Sequence, residues 1–410
     1  MMYPDPQERR PHAERVAAWE HALPAFITHA KQFAPAYGRL LADVEATSIN
    51  SLAALASLPI TRKSALINEQ KQQPPFGGYA ALAAGQAARL FASPGPINEP
   101  QGTTEDFWRM SRALAAAGFV AGDIVHNCFS YHFTPGGFML DSGARALGCA
   151  VFPGGVGQTE LQVAAMRDLG ATAYTGTPSF LKIILEKADE LGVSLPKLTK
   201  AVVTGEALPG SLRQWFTDRG ITVRQCYATA DLGLIAYETT PSAGMVLDEN
   251  IIVELVKPGS GEWVAEGEVG EVVVTSFNRD YPLIRFATGD LSAFHPDASP
   301  CGRTNRVIKG WMGRADQTAK IKGMFVHPEQ IHAIVKRHPE IQHARLVVDR
   351  ADDFDVMTLQ IETTESSPTL QQAVADTMRD ITKLRGEVQL CPPQSLARDG
   401  KVIDDIRKFE

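Results

Sequence analysis

At 410 residues the chain exceeds what one hydrophobic core usually fills, so two or more domains are expected. Hydrophobic content of 44% with 21% charged residues is ordinary for a soluble globular protein. Against 47 Asp and Glu stand 40 Lys and Arg, a net charge of -7 that argues against nucleic acid or an anionic membrane as partner. No run approaches the ~18 apolar residues needed to span a bilayer, and MMYPDPQERRPHAER lacks the apolar core of an export signal. A cytoplasmic location is therefore expected. Cys128, Cys149, Cys226, Cys301 and Cys391 are scattered without a CxxC, which fits reduced thiols and no structural metal.

In chain order, 8–44 reads as helical, with Val16, Trp19, Leu23, Phe26 and Ile27 at helical spacing. Thr61 is a candidate N-cap for a short helix from Arg62. From Phe91 to Val253 strands and helices alternate. Strands are expected at 123–129, 148–153, 171–175, 200–204 and 221–227. Helices are expected at 159–169 (capped by Thr159), 179–191 and 210–219. This rhythm predicts right-handed βαβ units and parallel sheets covered by helices, with ligands beyond the carboxyl ends of the strands. From Leu247 a β meander follows, with strands at 251–256, 268–276 and 283–286. The last segment reads as a compact α+β module, with helices at 328–337 and 370–384 and strands at 345–349, 358–362 and 388–391. Arg407 and Lys408 read as surface residues.

The chemistry concentrates between Tyr281 and Gly323. Asp290, in a Thr288-Gly289-Asp290 turn after an apolar strand, is an acceptor-only carboxylate that can take two vicinal ribose hydroxyls. Arg314 adds a planar fork of donors for sugar or phosphate oxygens. In order, Thr288-Gly289-Asp290, Gly313-Arg314-Ala315-Asp316 and Lys320-Ile321-Lys322-Gly323 resemble the TGD, GRxD and KxxG series of the AMP-forming adenylating superfamily. That superfamily comprises acyl-CoA synthetases, adenylation domains and luciferases. The flanking sequence looks most like its phenylacetate–CoA ligase branch.

The resemblance covers nearly the whole chain and implies a fold class. A large α/β N-terminal domain of parallel sheets and a β meander, 1–315, would bind adenylate and acid. A small α+β domain, 316–410, would rotate about a hinge at Asp316. It assigns Gly205-Glu206-Ala207 to the adenine face, where a glycine permits close backbone approach. Tyr227 matches the aromatic that stacks on adenine, with Ala228 beside it, and Asp231 ends the YATAD pentad where the family has Glu for Mg2+. Lys401, in a segment resembling the family's lysine motif, falls on the adenylation lysine. An ammonium bridging a carboxylate and an α-phosphate stabilises the charge that builds between them. Lys322 and Gly323 fall in the hairpin that forms the thiol tunnel. Tyr131, His132, Phe133, Gly136, Gly137 and Gly155 resemble the acid pocket, where glycines admit a flat ring and aromatics wall it.

The phosphate loop departs furthest from the family. It reads Ser93-Pro94-Gly95-Pro96-Ile97-Asn98-Glu99-Pro100, with Ser93, Gly95 and Pro100 in register with the family's Ser/Thr/Gly-rich loop ending in Lys-Pro, Asn98 within it, and Glu99 where a cation would oppose the triphosphate. Two prolines remove amide donors, and a carboxylate at roughly 5 Å from a phosphate costs on the order of 1–3 kcal/mol. The resemblance implies ATP, Mg2+ and coenzyme A, a small carboxylic acid of aryl or arylacetic type, and a homodimer as a family-level expectation. An amine or carrier thiol as acceptor stays open. So does a non-adenylating relative that only binds nucleotide and acyl group.

Overall fold

The computed structural model describes residues 5–93, 97–258, 260–315, 319–351, 354–365, 367–397 and 401–407. Two compact units divide the chain, Met1–Met312 and Gly313–Glu410. Asp316, the expected hinge, and Gly95 of the phosphate loop lie outside the described residues.

The first unit is organised by an eight-stranded sheet. Ala150–Pro153, Ile124–Asn127, Ala173–Gly176, Lys200–Val203 and Thr222–Thr229 run parallel in that spatial order. Gly233–Tyr237, Met245–Leu247 and Val307–Ile308 extend it antiparallel. The crossovers are the helices Gly136–Ala146, Thr159–Leu169, Pro178–Glu190 and Gly210–Asp218, as the alternation of apolar runs requires. The chain leaves Ile124–Asn127 for one neighbouring strand and returns to the other side of it. The sheet's switch point therefore lies at the carboxyl end of Ile124–Asn127, where such sheets open a ligand crevice.

A second, four-stranded sheet holds the meander: Thr61–Arg62, Leu283–Ser292, Gly270–Ser276 and Ile251–Val256. Two expectations change here. Thr61 does not cap a helix; it pairs in parallel with Phe286, and the helix runs Lys63–Gln72. Ladder hydrogen bonds to a buried strand outweigh a local cap. Nor is Thr288-Gly289-Asp290 a turn after the strand. The strand continues through it to Ser292, with a bulge between the Glu271 and Val273 pairings and Gly289 at φ 76°. Bulges re-aim side chains, and this one turns Asp290 out of register.

Arg285 locks the two segments together. Buried at φ 45°, it donates to both Glu254 carboxylate oxygens at 3.0 and 3.1 Å and to the carbonyls of Ala56 and Leu58 at 2.5 and 2.6 Å. Thr159 is likewise the first residue of its helix, after a left-handed Gln158, and not its cap.

The second unit is α+β as expected. The sheet Glu387–Cys391, Phe354–Glu362, His343–Ala351, Ile403–Asp405 is covered by helices Pro328–Arg337 and Pro368–Thr382. Ala319–Ile321 and Met324–Val326 form a hairpin whose turn, Lys322-Gly323, has positive φ at both residues (48° and 81°), the geometry of a type I′ turn. Arg407 is not a surface residue. It is buried between Asp355 at 2.9 Å and Asp405 at 2.5 Å. Among the described residues no helix is long and apolar enough to cross a membrane.

All five cysteines are free thiols. Burial pushes Cys128 and Cys226 up to about 12 and Cys149 up to about 11. Cys301 goes the other way. Burial opposes its ionisation, but hydrogen bonds from Ser299, Thr239 and Arg303 bring it down to about 7. Its thiolate fraction therefore rises as pH passes through neutrality, and alkylation by iodoacetamide should fall first on Cys301. Peptide mapping over a pH series checks this; preferential labelling of Cys391 would contradict it.

Candidate active site

Residues expected to face the nucleotide meet at two strand irregularities in the first unit. Tyr227, at a register shift near the end of Thr222–Thr229, donates its hydroxyl to Asp290 Oδ2 at 2.7 Å, with Thr288 Oγ1 3.3 Å from the same oxygen. Trp311 Nε1 donates to Asp290 Oδ1 at 3.0 Å. A carboxylate offers about four lone-pair sites, so these two donors fix its plane. Trp311 went unnoticed in the sequence, where only its place between the TGD and GRxD motifs marks it.

One strand over, Thr204 Oγ1 donates to the Cys226 carbonyl at 2.6 Å, tying the two strand ends together. Gly205 follows at φ 86°. Glu206 does not project a free carboxylate: Ser179 Oγ donates to it at 2.5 Å, and Ala207 continues the loop. What this loop offers a base is backbone. Ala228 sits in the strand opposite Leu234.

Asp231 is buried and takes the ammonium of Lys63, the first residue of Lys63–Gln72. Its Oδ1 is buried without a hydrogen-bond partner. Glu99 lies within its electrostatic reach. The strands Arg89–Ser93 and Ile97–Gln101 form a hairpin, and Ser93 Oγ donates to Glu99 Oε1 at 2.5 Å. Burial, then repulsion from Asp231, pushes the Glu99 carboxyl up to about 8 against the pull of Lys63 and Ser93. Glu99 is thus a buried group, not a solvent-facing side chain. Asn98 serves the scaffold: its N–H and C=O bond Gln70 at 2.8 and 2.9 Å, and its side chain donates to the Pro75 carbonyl at 3.2 Å.

Residues expected to line the acid pocket gather at the sheet's switch point around Asn127, another residue the sequence did not flag. Its Nδ2 donates to the Tyr131 hydroxyl at 2.7 Å and the Gly137 carbonyl at 2.8 Å, while its Oδ1 accepts from Thr175 Oγ1 at 3.0 Å. Tyr131 in turn donates its hydroxyl to Asp141 Oδ2 at 3.1 Å and stands edge-on to Phe138, centroids 5.1 Å apart. A Cβ on Gly137 would come within 2.7 Å of the Ser130 carbonyl and 2.8 Å of the Tyr131 ring, so only glycine fits there. Gly136 opens the same helix.

Across the crevice, Gln162 ties the Gly154–Gly157 loop down. Its Nε2 donates to the carbonyls of Gly154, Gly155 and Gly157 at 2.9, 3.2 and 3.1 Å, and its Oε1 accepts from buried His126 at 2.5 Å. The expected aromatic wall narrows. Phe133, at φ 61°, turns its ring to solvent (81% exposed), and His132 is exposed beside it. Tyr131 and Phe138 are the rings held in place.

In the second unit Lys322 and Gly323 form the hairpin turn, with the Lys322 N–H on Asp355 Oδ2 at 3.1 Å. The Arg314 guanidinium lies 5.5 Å from the Phe325 ring centroid. Lys401 is exposed and ion-paired with Asp404 at 2.8 Å.

Comparison with known proteins gives the family. Residues 103–278 match the family of AMP-binding enzymes, and residues 323–406 match the AMP-binding enzyme C-terminal domain. The phenylacetate-coenzyme A ligase of Thermus thermophilus is 31% identical over 89% of this chain and 85% of its own length. That of Escherichia coli is 31% identical over 89% and 86%. A solved 2-hydroxyisobutyryl-CoA ligase, in complex with 2-HIB-AMP and CoA in its thioesterification state, superposes with a TM-score of 0.84 at 25% identity. It covers 98% of this chain and 92% of that one. The chain belongs to the AMP-binding enzyme family, within its phenylacetate-coenzyme A ligase group.

Proposed function

We propose that this protein is an acid–thiol ligase that activates a carboxylic acid, of aryl or arylacetic type, with ATP and passes the acyl group to coenzyme A. In the first step a carboxylate oxygen attacks the α-phosphorus of ATP and the bond to pyrophosphate breaks. In the second, the sulfur of coenzyme A attacks the acyl carbon, the carbon–oxygen bond to AMP breaks, and the thiol proton leaves to solvent.

What supports this most is the buried Asp290 carboxylate, held at a strand bulge by Trp311 and Tyr227, the arrangement a ribose diol needs. Asp290 and Arg314 hold the sugar, the Tyr227 ring and the Gly205–Ala207 backbone flank adenine, and Tyr131 with the Gly137 and Gly155 backbones lines the acid. Lys401 neutralises the charge between the attacking carboxylate and the α-phosphate. The small domain turns about Asp316, and the Lys322-Gly323 hairpin then closes over the thiol. Asp231 is the residue suited to Mg2+, which when bound neutralises phosphate charge. Its orphaned Oδ1 is the observation in favour of that fit.

One feature favours a second reading, a relative that binds nucleotide and acyl group without adenylating: the acidic Glu99 of the phosphate loop, buried within electrostatic reach of Asp231. Pyrophosphate release on mixing the protein, Mg-ATP and a panel of aryl acids separates the two. Release with at least one acid is the expected result. No release with any acid, together with measurable AMP binding, overturns the ligase reading in favour of the second. Coenzyme A or amines added to an active mixture identify the acceptor.

A further inference from the structure

Three buried oxygens around the phosphate loop have no hydrogen-bond partner: Glu99 Oε2, Asp231 Oδ1 and the Tyr281 hydroxyl. Their residues are 2%, 5% and 2% exposed, so solvent does not satisfy them. The groups act on one another electrostatically, Asp231 on Glu99 and both on Tyr281. A buried oxygen left unpaired loses its hydration with nothing in return, and more so when charged, so a cluster of them calls for a ligand.

Distant segments converge to make the cluster. The Thr61–Arg62 strand, paired on Leu283–Ser292, sets Lys63 at the helix start and its ammonium on Asp231 Oδ2. The same helix pins Asn98 through Gln70, which aligns the next residue, Glu99. Ser93 takes one Glu99 oxygen and leaves the other unmet.

We propose that Glu99 and Asp231 together hold a divalent cation, Glu99 being the second carboxylate of a site whose phosphate-loop lysine has been replaced by metal charge. The inference rests on the reading of Asp231 as the magnesium residue and extends it to Glu99. Among the described residues no group of three or more His, Cys, Asp or Glu could hold a metal. Two carboxylates completed by water and phosphate oxygens is nonetheless the usual way Mg2+ is bound. The acidic loop is then no obstacle to a triphosphate, because the nucleotide meets the cation in place of the carboxylates. Asp231, one carbon shorter than Glu, gains a partner for the reach it lacks.

The test is Mn2+ binding by the nucleotide-free full chain, followed by loss of the free-ion electron paramagnetic resonance signal and by competition with Mg2+. The wild type should bind Mn2+ at a site that Mg2+ competes for. Glu99→Gln, which keeps the side-chain shape and the Ser93 hydrogen bond, should weaken binding by at least about tenfold. Asp231→Asn should weaken it at least as much, and thermal melting reports that each variant is folded. Wild-type affinity in folded Glu99→Gln, or no Mn2+ binding by the wild type at millimolar concentration, overturns the proposal. Mn2+ binding that depends on Glu99 without pyrophosphate release from any acid would sink the ligase reading and leave the cation site standing.

Discussion

Lys401→Ala lowers the rate of pyrophosphate release by about two to three orders of magnitude, equivalent to roughly 2.7–4 kcal/mol of transition-state stabilisation. Transfer from a preformed acyl-adenylate to coenzyme A stays near the wild-type rate. The asymmetry follows from where charge develops. Only the first step brings a carboxylate against a phosphate, and only there does an ammonium between them relieve repulsion that the ground state lacks. Lys401 is suited to this by its surroundings. Its ion pair with Asp404 lies at the surface, with the lysine side chain 52% exposed, and such pairs hold a lysine weakly. The Ile403–Asp405 strand, pairing in parallel with Leu346–Val348, gives the segment a rigid base. Lys401→Arg should not restore the rate, since a planar guanidinium does not reproduce a compact point charge. Measuring the two half-reactions separately checks the prediction. Equal loss in both would make Lys401 a general binding residue; no loss in either would make it a solvated tail lysine.

How much of this could be read from the sequence divides along a physical line. The parallel sheet was legible because its apolar runs are short, local and separated by amphipathic helices; Lys200–Val203 and Pro328–Arg337 fall where the pattern puts them. Asp290, Tyr227 and Asp231 were legible because their motifs are contiguous. What escaped depends on contacts between distant segments. Thr61 looks like a cap until Phe286, far along the chain, offers a ladder partner. Arg285 lies in the same strand as Asp290 and carried no reading of its own in the sequence. It spends its donors on Glu254, Ala56, Leu58 and Gly261 and acts as a rivet. Asn127 and Gln162 carry no motif of their own, yet they orient the two sides of the switch-point crevice. Phe133 misled because an aromatic among glycines reads as a wall, whereas its left-handed backbone turns the ring to solvent.

Lys63→Met should cost the first unit the lower part of about 3–5 kcal/mol, because it leaves the buried Asp231 carboxylate without its countercharge. The lower part applies because Lys63 keeps 24% side-chain exposure while Asp231 has none, so water softens the loss on one side only. The variant should denature at a clearly lower midpoint in chelator-containing buffer. The companion change Glu99→Gln should recover part of the loss. It removes the buried acid that repels Asp231 while keeping the hydrogen bond from Ser93. A double-mutant cycle should then give a coupling of about 0.5–3 kcal/mol between Lys63 and Glu99. Coupling near zero would mean that Lys63 serves Asp231 alone. A wild-type midpoint for Lys63→Met would mean that the ion pair does not anchor Asp231, and the charge balance of the phosphate loop would then have to come from residues other than the helix start. Dialysis against Mg2+ adds a discriminating arm. A divalent cation between Glu99 and Asp231 replaces the missing ammonium, so the midpoint of Lys63→Met should rise with Mg2+ more than that of the wild type.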